Sequence, residues 1–430
     1  MKLAEKLLSH YSALDRRAEM LDNLLADYPK RDFQVRLWDG FLWGADPRPR
    51  FTLLLKNPRA LQTICISPSE LSLGESYVRG DFEIEGDIEA AFDLGEHLLR
   101  QEYLAGKPSA LLKPLLRLVV HEEPLAPVPF PELSGQLHSR ERDHRAVTYH
   151  YDLPSEFYAL WLDSRMVYSC AYFHAPDQTL DAAQQNKLEY LCRKLRLRRG
   201  DRLLDIGCGW GSLVIHAAAN YGAQALGITL SEPQAEWGRR QIHALGLDQQ
   251  CRVEVRDYRD LEPSPLYDKI VSVGMFEHVG ESKLPEYFHR AWELLRPGGV
   301  FLNHGISYSA TYHRRGPSFI DRYVFPDGDL VPISTSLRAA EQSGLEVRDV
   351  ESLREHYALT LRHWLARLES RCAEARRIAS ETTYRIYRIY LAGSAHAFRR
   401  ARLNLYQTLL AKPVRGESGL RLTREDWYQA

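Results

Sequence analysis

Arg202-Leu203-Leu204-Asp205-Ile206-Gly207-Cys208-Gly209-Trp210-Gly211-Ser212 decides the fold of this 430-residue chain. Leu203, Leu204 and Ile206 make an apolar run of the length of a buried parallel strand. Glycine follows at every second position (Gly207, Gly209, Gly211), and the stretch from Leu213 to Asn220 reads as helix. Strand, glycine turn and helix form a pocket for a nucleotide-like cofactor, because glycine lets the backbone approach a ligand closely. The plain alternative is a tight strand-to-helix turn that holds nothing.

What is missing points to the cofactor. A dinucleotide fingerprint needs G-x-G-x-x-G and an acidic residue about 20 positions later. Here the spacing is G-x-G-x-G after Asp205, without a basic P-loop ending. That pattern suits S-adenosylmethionine, whose amino-acid end needs close backbone contact and which carries no phosphates. The next strand, Ala223 to Ile228, runs into Thr229, Leu230 and Ser231, with Gln234 after them. No carboxylate stands at that strand end, so hydroxyl and amide groups must take its place.

Composition is ordinary globular, 44% hydrophobic and 26% charged, and the formal net charge of −1 argues against a nucleic-acid partner. The length allows two or three domains. The six cysteines (Cys65, Cys170, Cys192, Cys208, Cys251, Cys372) show no metal-ligand spacing and fit free thiols in a reducing cytoplasm. No secretory pattern appears, and no apolar run reaches the roughly 18 residues of a membrane span. The expectation is a cytoplasmic protein, dissolved or adsorbed to the inner face of a membrane.

Leu3, Leu7, Tyr11 and Leu14 recur at helical spacing, as a core or partner face. Phe33 to Ile66 reads as strands broken at Asp39-Gly40 and at Pro47 and Pro49. Residues 1–120 are expected to form a small α+β domain, 121–140 a linker containing Pro124, Pro127, Pro129 and Pro131, and 141–430 the catalytic domain with helices near 365–412. From Arg202 onward strand and helix alternate, giving an α/β doubly wound parallel sheet with its ligand at the carboxyl ends of the strands. Arg296-Pro297-Gly298-Gly299 reads as a turn into the strand Val300–Asn303. Thr179 and Asp181 can cap a helix whose apolar face carries Leu188, Leu191, Cys192 and Leu195. The arginines after it suit a solvated face or lipid headgroups.

Three stretches fall where ligands lie in such a sheet: Gly274 to Gly280 with Glu277 and His278, Asn303 to Ile306 with His304, and His356-Tyr357 before a helix. Together with Tyr168-Ser169-Cys170-Ala171-Tyr172-Phe173, the Asp205–Gly211 turn, Gly227–Ser231 with Gln234, and Tyr323-Val324-Phe325-Pro326, they identify a family. From Thr148 to Leu410 the chain resembles the cyclopropane-fatty-acid synthases, which have a class I methyltransferase sheet with helical lid segments. Leu73–Tyr77 and Gly80-Asp81 resemble the N-terminal domain of the longer bacterial members.

The resemblance implies methyl transfer from S-adenosylmethionine to a cis double bond of a phospholipid acyl chain, then proton loss from the new methyl and ring closure. It implies Tyr168 and Ser169 at the cofactor, and Asp257-Tyr258 beside its adenine. It also implies a bound bicarbonate as base, held by Cys170, Glu277, His304, Ile306 and Tyr357, and relatives suggest a homodimer. Glu277 can accept a hydrogen bond from the bicarbonate hydroxyl and so orient the anion, while His304, Tyr357 and backbone N–H groups can donate to its oxygens. An alkene needs no activating base before attack, but the resulting cation needs a dry site with aromatic faces, for which Tyr149, Tyr151, Tyr168, Tyr172 and Phe173 are candidates. Ser394 stands where several relatives carry a cysteine, so a covalent cysteine step there is excluded. Tyr384 through Arg415 holds seven basic residues and no acidic ones, and reads as a helix, packed or serving as a lid against anionic headgroups. A fatty-acid C-methyltransferase yielding a methylene or methyl branch shares every one of these motifs. From another class, a non-catalytic binder of S-adenosylmethionine or lipid has no use for an anion cage.

Overall fold

Alternating burial builds the first sheet. In β1 (Phe33–Arg36) and β3 (Phe51–Leu55) every second side chain is buried, and Phe33 stacks on Phe51 with ring centroids 5.1 Å apart. With β2 (Leu42–Trp43) and β4 (Phe82–Gly86) they form a sheet of order β2-β1-β3-β4, in which β1 and β3 are parallel. The computed structural model describes residues 18–19, 21–25, 27–44, 46–66, 68–99, 127–264, 266–312 and 318–428. The stripe Leu3–Leu14 and the start of the proline-rich linker lie outside the described residues.

Two compact units divide the chain: Met1–Phe130 with Arg315–Arg322 and Arg385–Gly393, and the remainder, Pro131–Arg314, Tyr323–Tyr384 and Ser394–Ala430. Within the first, Arg385 donates to the Tyr77 and Phe82 carbonyls at 2.8 and 3.0 Å and pairs with Glu83 at 2.6 Å. Arg388 donates to the Tyr77 hydroxyl and the Ile84 carbonyl. Both guanidiniums are buried, so they satisfy main-chain oxygens of this unit and offer nothing to lipid headgroups.

The second unit carries seven strands: β5 (Arg202–Ile206), β6 (Gln224–Thr229), β7 (Cys251–Val255), β8 (Tyr267–Val273), β9 (Leu295–Tyr308), β10 (Glu346–Ser352) and β11 (Leu403–Ala411). Their order is β10-β11-β9-β8-β5-β6-β7. β5 to β9 run parallel, and β11 is antiparallel to both of its neighbours. Strand order reverses at β5, which lies between β6 and β8, and the crevice at such a reversal is where a doubly wound sheet receives its ligand.

Three local expectations need correction. The long helix ends at Arg399, Ala401 takes a left-handed φ of 55°, and the residues from Leu403 enter the sheet as β11. Every residue from Gln407 to Ala411 is buried, so this strand is covered on both faces and shows no clean two-residue alternation. Lys412, counted among the basic residues from Tyr384 to Arg415, spends its ammonium on the Trp292 and Leu295 carbonyls. Arg296–Gly299 loops out within β9: Leu295 pairs with Tyr267 and Val300 with Lys269. His356 and Tyr357 lie in the first turn of the helix Arg354–Ser370 and do not precede it.

Candidate active site

The glycine turn builds a cradle at the end of β5. Gly207, Gly209 and Gly211 have φ of 81°, 54° and 82°, values that side chains with a Cβ rarely adopt. A Cβ on Gly207 would lie 2.6 Å from the Met275 Cβ, whereas one on Gly209 would meet only the Gln234 amide nitrogen, at 4.0 Å. Gly209 therefore faces open space, and the turn opens into a cavity.

Ten of the twelve residues expected at the cofactor line that cavity: Tyr168, Ser169, Asp205, Gly207, Gly209, Thr229, Leu230, Gln234, Asp257 and Tyr258. Gly211 instead begins the helix Ser212–Tyr221. Ser231 is fully buried behind the wall, its hydroxyl donating to Asp152 at 2.7 Å. The Thr229 hydroxyl donates to the Gln234 side-chain oxygen at 2.8 Å, which leaves the amide N–H groups of Gln234 for a ligand. The Asp257 carboxylate is clamped by Arg259 through two nitrogens, at 2.9 and 2.6 Å. Burial pushes the Asp205 carboxyl up to about 7, and its Oδ1 is buried without a partner. A buried acceptor with no donor, in a cradle that a Cβ would narrow, suits the amino-acid end of S-adenosylmethionine.

The five residues expected around an anion are linked through hydrogen bonds and strand pairing of the backbone. Glu277, in a short turn after β8, accepts from the Ile306 N–H at 2.7 Å. Its other oxygen is buried and unpartnered, and burial pushes the carboxyl up to about 7. His304, two residues before Ile306 on β9, is 1% exposed. The Gln407 amide lies 3.1 Å from its Nδ1, and its Nε2 is buried without a partner. Burial holds this imidazole far below its ordinary value, so it stays neutral. With Gln407 donating to Nδ1, the ring proton resides on Nε2.

Cys170 and Tyr357 meet at the Leu353 carbonyl, which accepts from the Tyr357 N–H at 3.1 Å and the Cys170 thiol at 3.9 Å. The Leu353 N–H in turn donates to the carbonyl of Leu405, the β11 partner of Ile306. Burial pushes the Cys170 thiol well up, so it is no thiolate nucleophile. None of these five residues lines the cavity, but Cys170 follows the lining residues Tyr168 and Ser169, and Glu277 lies between the lining residues Met275 and His278.

Of the aromatic candidates, Tyr151 and Tyr168 line the cavity. Tyr172 stacks on His356 at 4.8 Å, Phe173 on His363 at 5.5 Å, and Tyr149 is partly exposed. Two contributors, Lys187 and Gln407, escape a motif-based reading, whereas His278 falls in the stretch Gly274 to Gly280 already singled out. Lys187 and His278 line the cavity, and Gln407 orients His304. Lys187 falls on the apolar face of its helix with Leu188 and Leu191, and Gln407 in the buried phase of a strand. A polar residue in an apolar phase is the signal that could have found both.

The profile of the family described as mycolic acid cyclopropane synthetase matches residues 138–408, and a domain of unknown function (DUF7884) matches residues 20–96. A probable fatty acid methyltransferase of Pseudomonas putida is 44% identical over 405 residues, 92% of this chain and 96% of that protein. The cyclopropane-fatty-acyl-phospholipid synthase of Escherichia coli K12 is 37% identical over 288 residues, 67% of this chain and 72% of that one. The crystal structure of the mycolic acid cyclopropane synthase CmaA1 complexed with SAH and CTAB superposes with a TM-score of 0.59 at 35% identity, covering 62% of this chain and 97% of that one.

Proposed function

The chain belongs to the mycolic acid cyclopropane synthetase family of S-adenosylmethionine-dependent methyltransferases, and from that premise we propose that it adds a methyl to a cis double bond of a phospholipid acyl chain and closes a cyclopropane ring. The observation that carries the proposal is that Glu277 Oε2 and His304 Nε2 are both buried without a partner, Glu277 lying between the cavity-lining Met275 and His278. One is an acceptor and the other a donor, an arrangement that suits bicarbonate, which has a hydroxyl to give and anionic oxygens to receive.

When bound, S-adenosylmethionine supplies an electrophilic methyl and bicarbonate a base for proton removal. The chain's own residues do the rest. Asp205, Gln234 and the glycine turn position the donor. Tyr151 and Tyr168 present aromatic faces that tolerate positive charge and exclude water. Glu277, fixed by the Ile306 N–H, orients the anion, and His304, held in one tautomer by Gln407, donates to it. Cys170 and Tyr357 contribute through the main chain and hydroxyl at the same point.

A second reading, a methylene- or methyl-branched product, is favoured by one observation: a relative matched over 92% of the chain is named a probable fatty acid methyltransferase. No helix among the described residues is long and apolar enough to cross a membrane. We propose that acyl chains are reached by peripheral adsorption at the cytoplasmic face. Incubation with unsaturated phospholipid vesicles and labelled methyl donor, followed by gas chromatography and mass spectrometry, tests the proposal. A labelled cyclopropane acyl chain supports it, a labelled branched chain selects the second reading, and unlabelled lipid overturns both.

A further inference from the structure

Among the described residues, Lys187 is a buried ammonium with no carboxylate in contact with it. It lies in the helix Leu180–Lys194 and is 2% exposed. Moving an ammonium out of water is costly unless an anion or a full set of acceptors replaces the water. Among the described residues no carboxylate lies within ion-pair distance of it; its Nζ donates to the Ser169 hydroxyl oxygen at 2.9 Å. Asp163, Cys170 and Asp205 act on it only at longer range, and burial brings the ammonium down to about 8.

The surroundings are fixed. Gln184 donates to the Ser169 carbonyl at 2.9 Å, which pins the backbone that carries this hydroxyl. Because Ser169 Oγ accepts from Lys187, its own O–H is directed elsewhere. Lys187, Ser169 and Asp205 all line the one cavity. One end of the cavity therefore offers an uncompensated ammonium with a hydroxyl donor, close to a carboxylate whose Oδ1 has no partner. That is the complement of a zwitterion.

We propose that Lys187, together with Ser169, holds the α-carboxylate of the methionine moiety of S-adenosylmethionine, while Asp205 receives its α-ammonium. The inference rests on the cavity being the S-adenosylmethionine site. It gives Lys187 a role in binding and makes the cofactor's carboxylate the missing counter-ion of the fold.

Calorimetric titration of the full chain with S-adenosylmethionine and with its decarboxylated analogue tests this. The native chain is expected to prefer the carboxylated ligand by about 10- to 100-fold, the range of charge-assisted hydrogen bonds. Lys187→Met should lose that preference by weakening S-adenosylmethionine alone, with the ligand-free melting temperature unchanged or higher because a buried charge is gone. Ser169→Ala, a smaller change, should reduce the preference about fivefold; it decides the matter if Lys187→Met does not fold. A variant that keeps the native preference overturns the inference. Failure of the native chain to bind either ligand overturns the cofactor assignment itself, a distinguishable result.

Discussion

Glu277→Gln should trade activity for stability, and the direction of the exchange depends on pH. In the unfolded chain this carboxyl has its ordinary value of 4.5, and burial raises it to about 7 in the fold. Between those values the unfolded state has released a proton that the folded state retains. Native stability therefore falls as pH rises from about 4.5, and the loss is complete above about 7. A gap of that width amounts to about 3 kcal/mol. The glutamine amide is neutral, and its oxygen can still accept from the Ile306 N–H. The variant should match the native chain in urea denaturation at pH 4.5 and exceed it by about 3 kcal/mol at pH 8. Turnover should fall by about 100- to 1000-fold, because an NH2 donor now stands where the anion's hydroxyl needs an acceptor. Affinity for S-adenosylhomocysteine should hold, since Glu277 is not among the residues lining the cofactor cavity. A variant less stable than the native chain at pH 8, or one that turns over normally, would refute the reasoning.

The two inner glycines should fail in different ways. Gly207→Ala forces a Cβ to 2.6 Å from Met275 and should cost about 2 kcal/mol or more in urea denaturation. Gly209→Ala has room, so it should cost only about 1 kcal/mol, that of a left-handed φ, and act mainly on cofactor affinity. Equal effects on both properties would contradict the assigned geometry. Gln407→Leu releases the His304 tautomer, and the bicarbonate concentration for half-maximal turnover should rise about tenfold with cofactor affinity intact; an unchanged bicarbonate response removes Gln407 from the site. Trp427 is 4% exposed, with the Lys194 ammonium 5.4 Å from its ring centre. Trp427→Ala should lower unfolding free energy by about 3 kcal/mol or more, and a loss below 1 kcal/mol would show that the contact contributes little.

Legibility tracked how local the signal was. The strand–glycine–helix stretch around Asp205 needs only its own sequence to be read, and β5 to β9 followed because they alternate with helices, each strand carrying a short apolar run or, in β7, an alternating one. β10 has only one fully buried residue, Asp349, and lacks an apolar run. β11 is buried on both faces from Gln407 to Ala411, carries Gln407 and Thr408 among its apolar residues, and follows a run of arginines, which drew a helix across it. The pairing of His304 with Gln407 and of Ile306 with Leu405 joins residues about 100 positions apart, and no local pattern encodes it. The destination of Arg385 and Arg388 was hidden for the same reason: their partners, at Tyr77 to Ile84, lie about 300 residues away. Residue types suggested the cofactor and the anion, but the orphaned atoms of Glu277, His304 and Asp205 emerged only with the three-dimensional arrangement.

Transfer from a donor carrying a trideuterated methyl tests the coupling of alkylation to an internal base most directly. If the anion held by Glu277 and His304 removes a hydron from the new methyl, the isolated acyl product contains a ring carbon bearing two deuteriums, with the third lost to solvent. Intact trideuteromethyl groups in the product would contradict it.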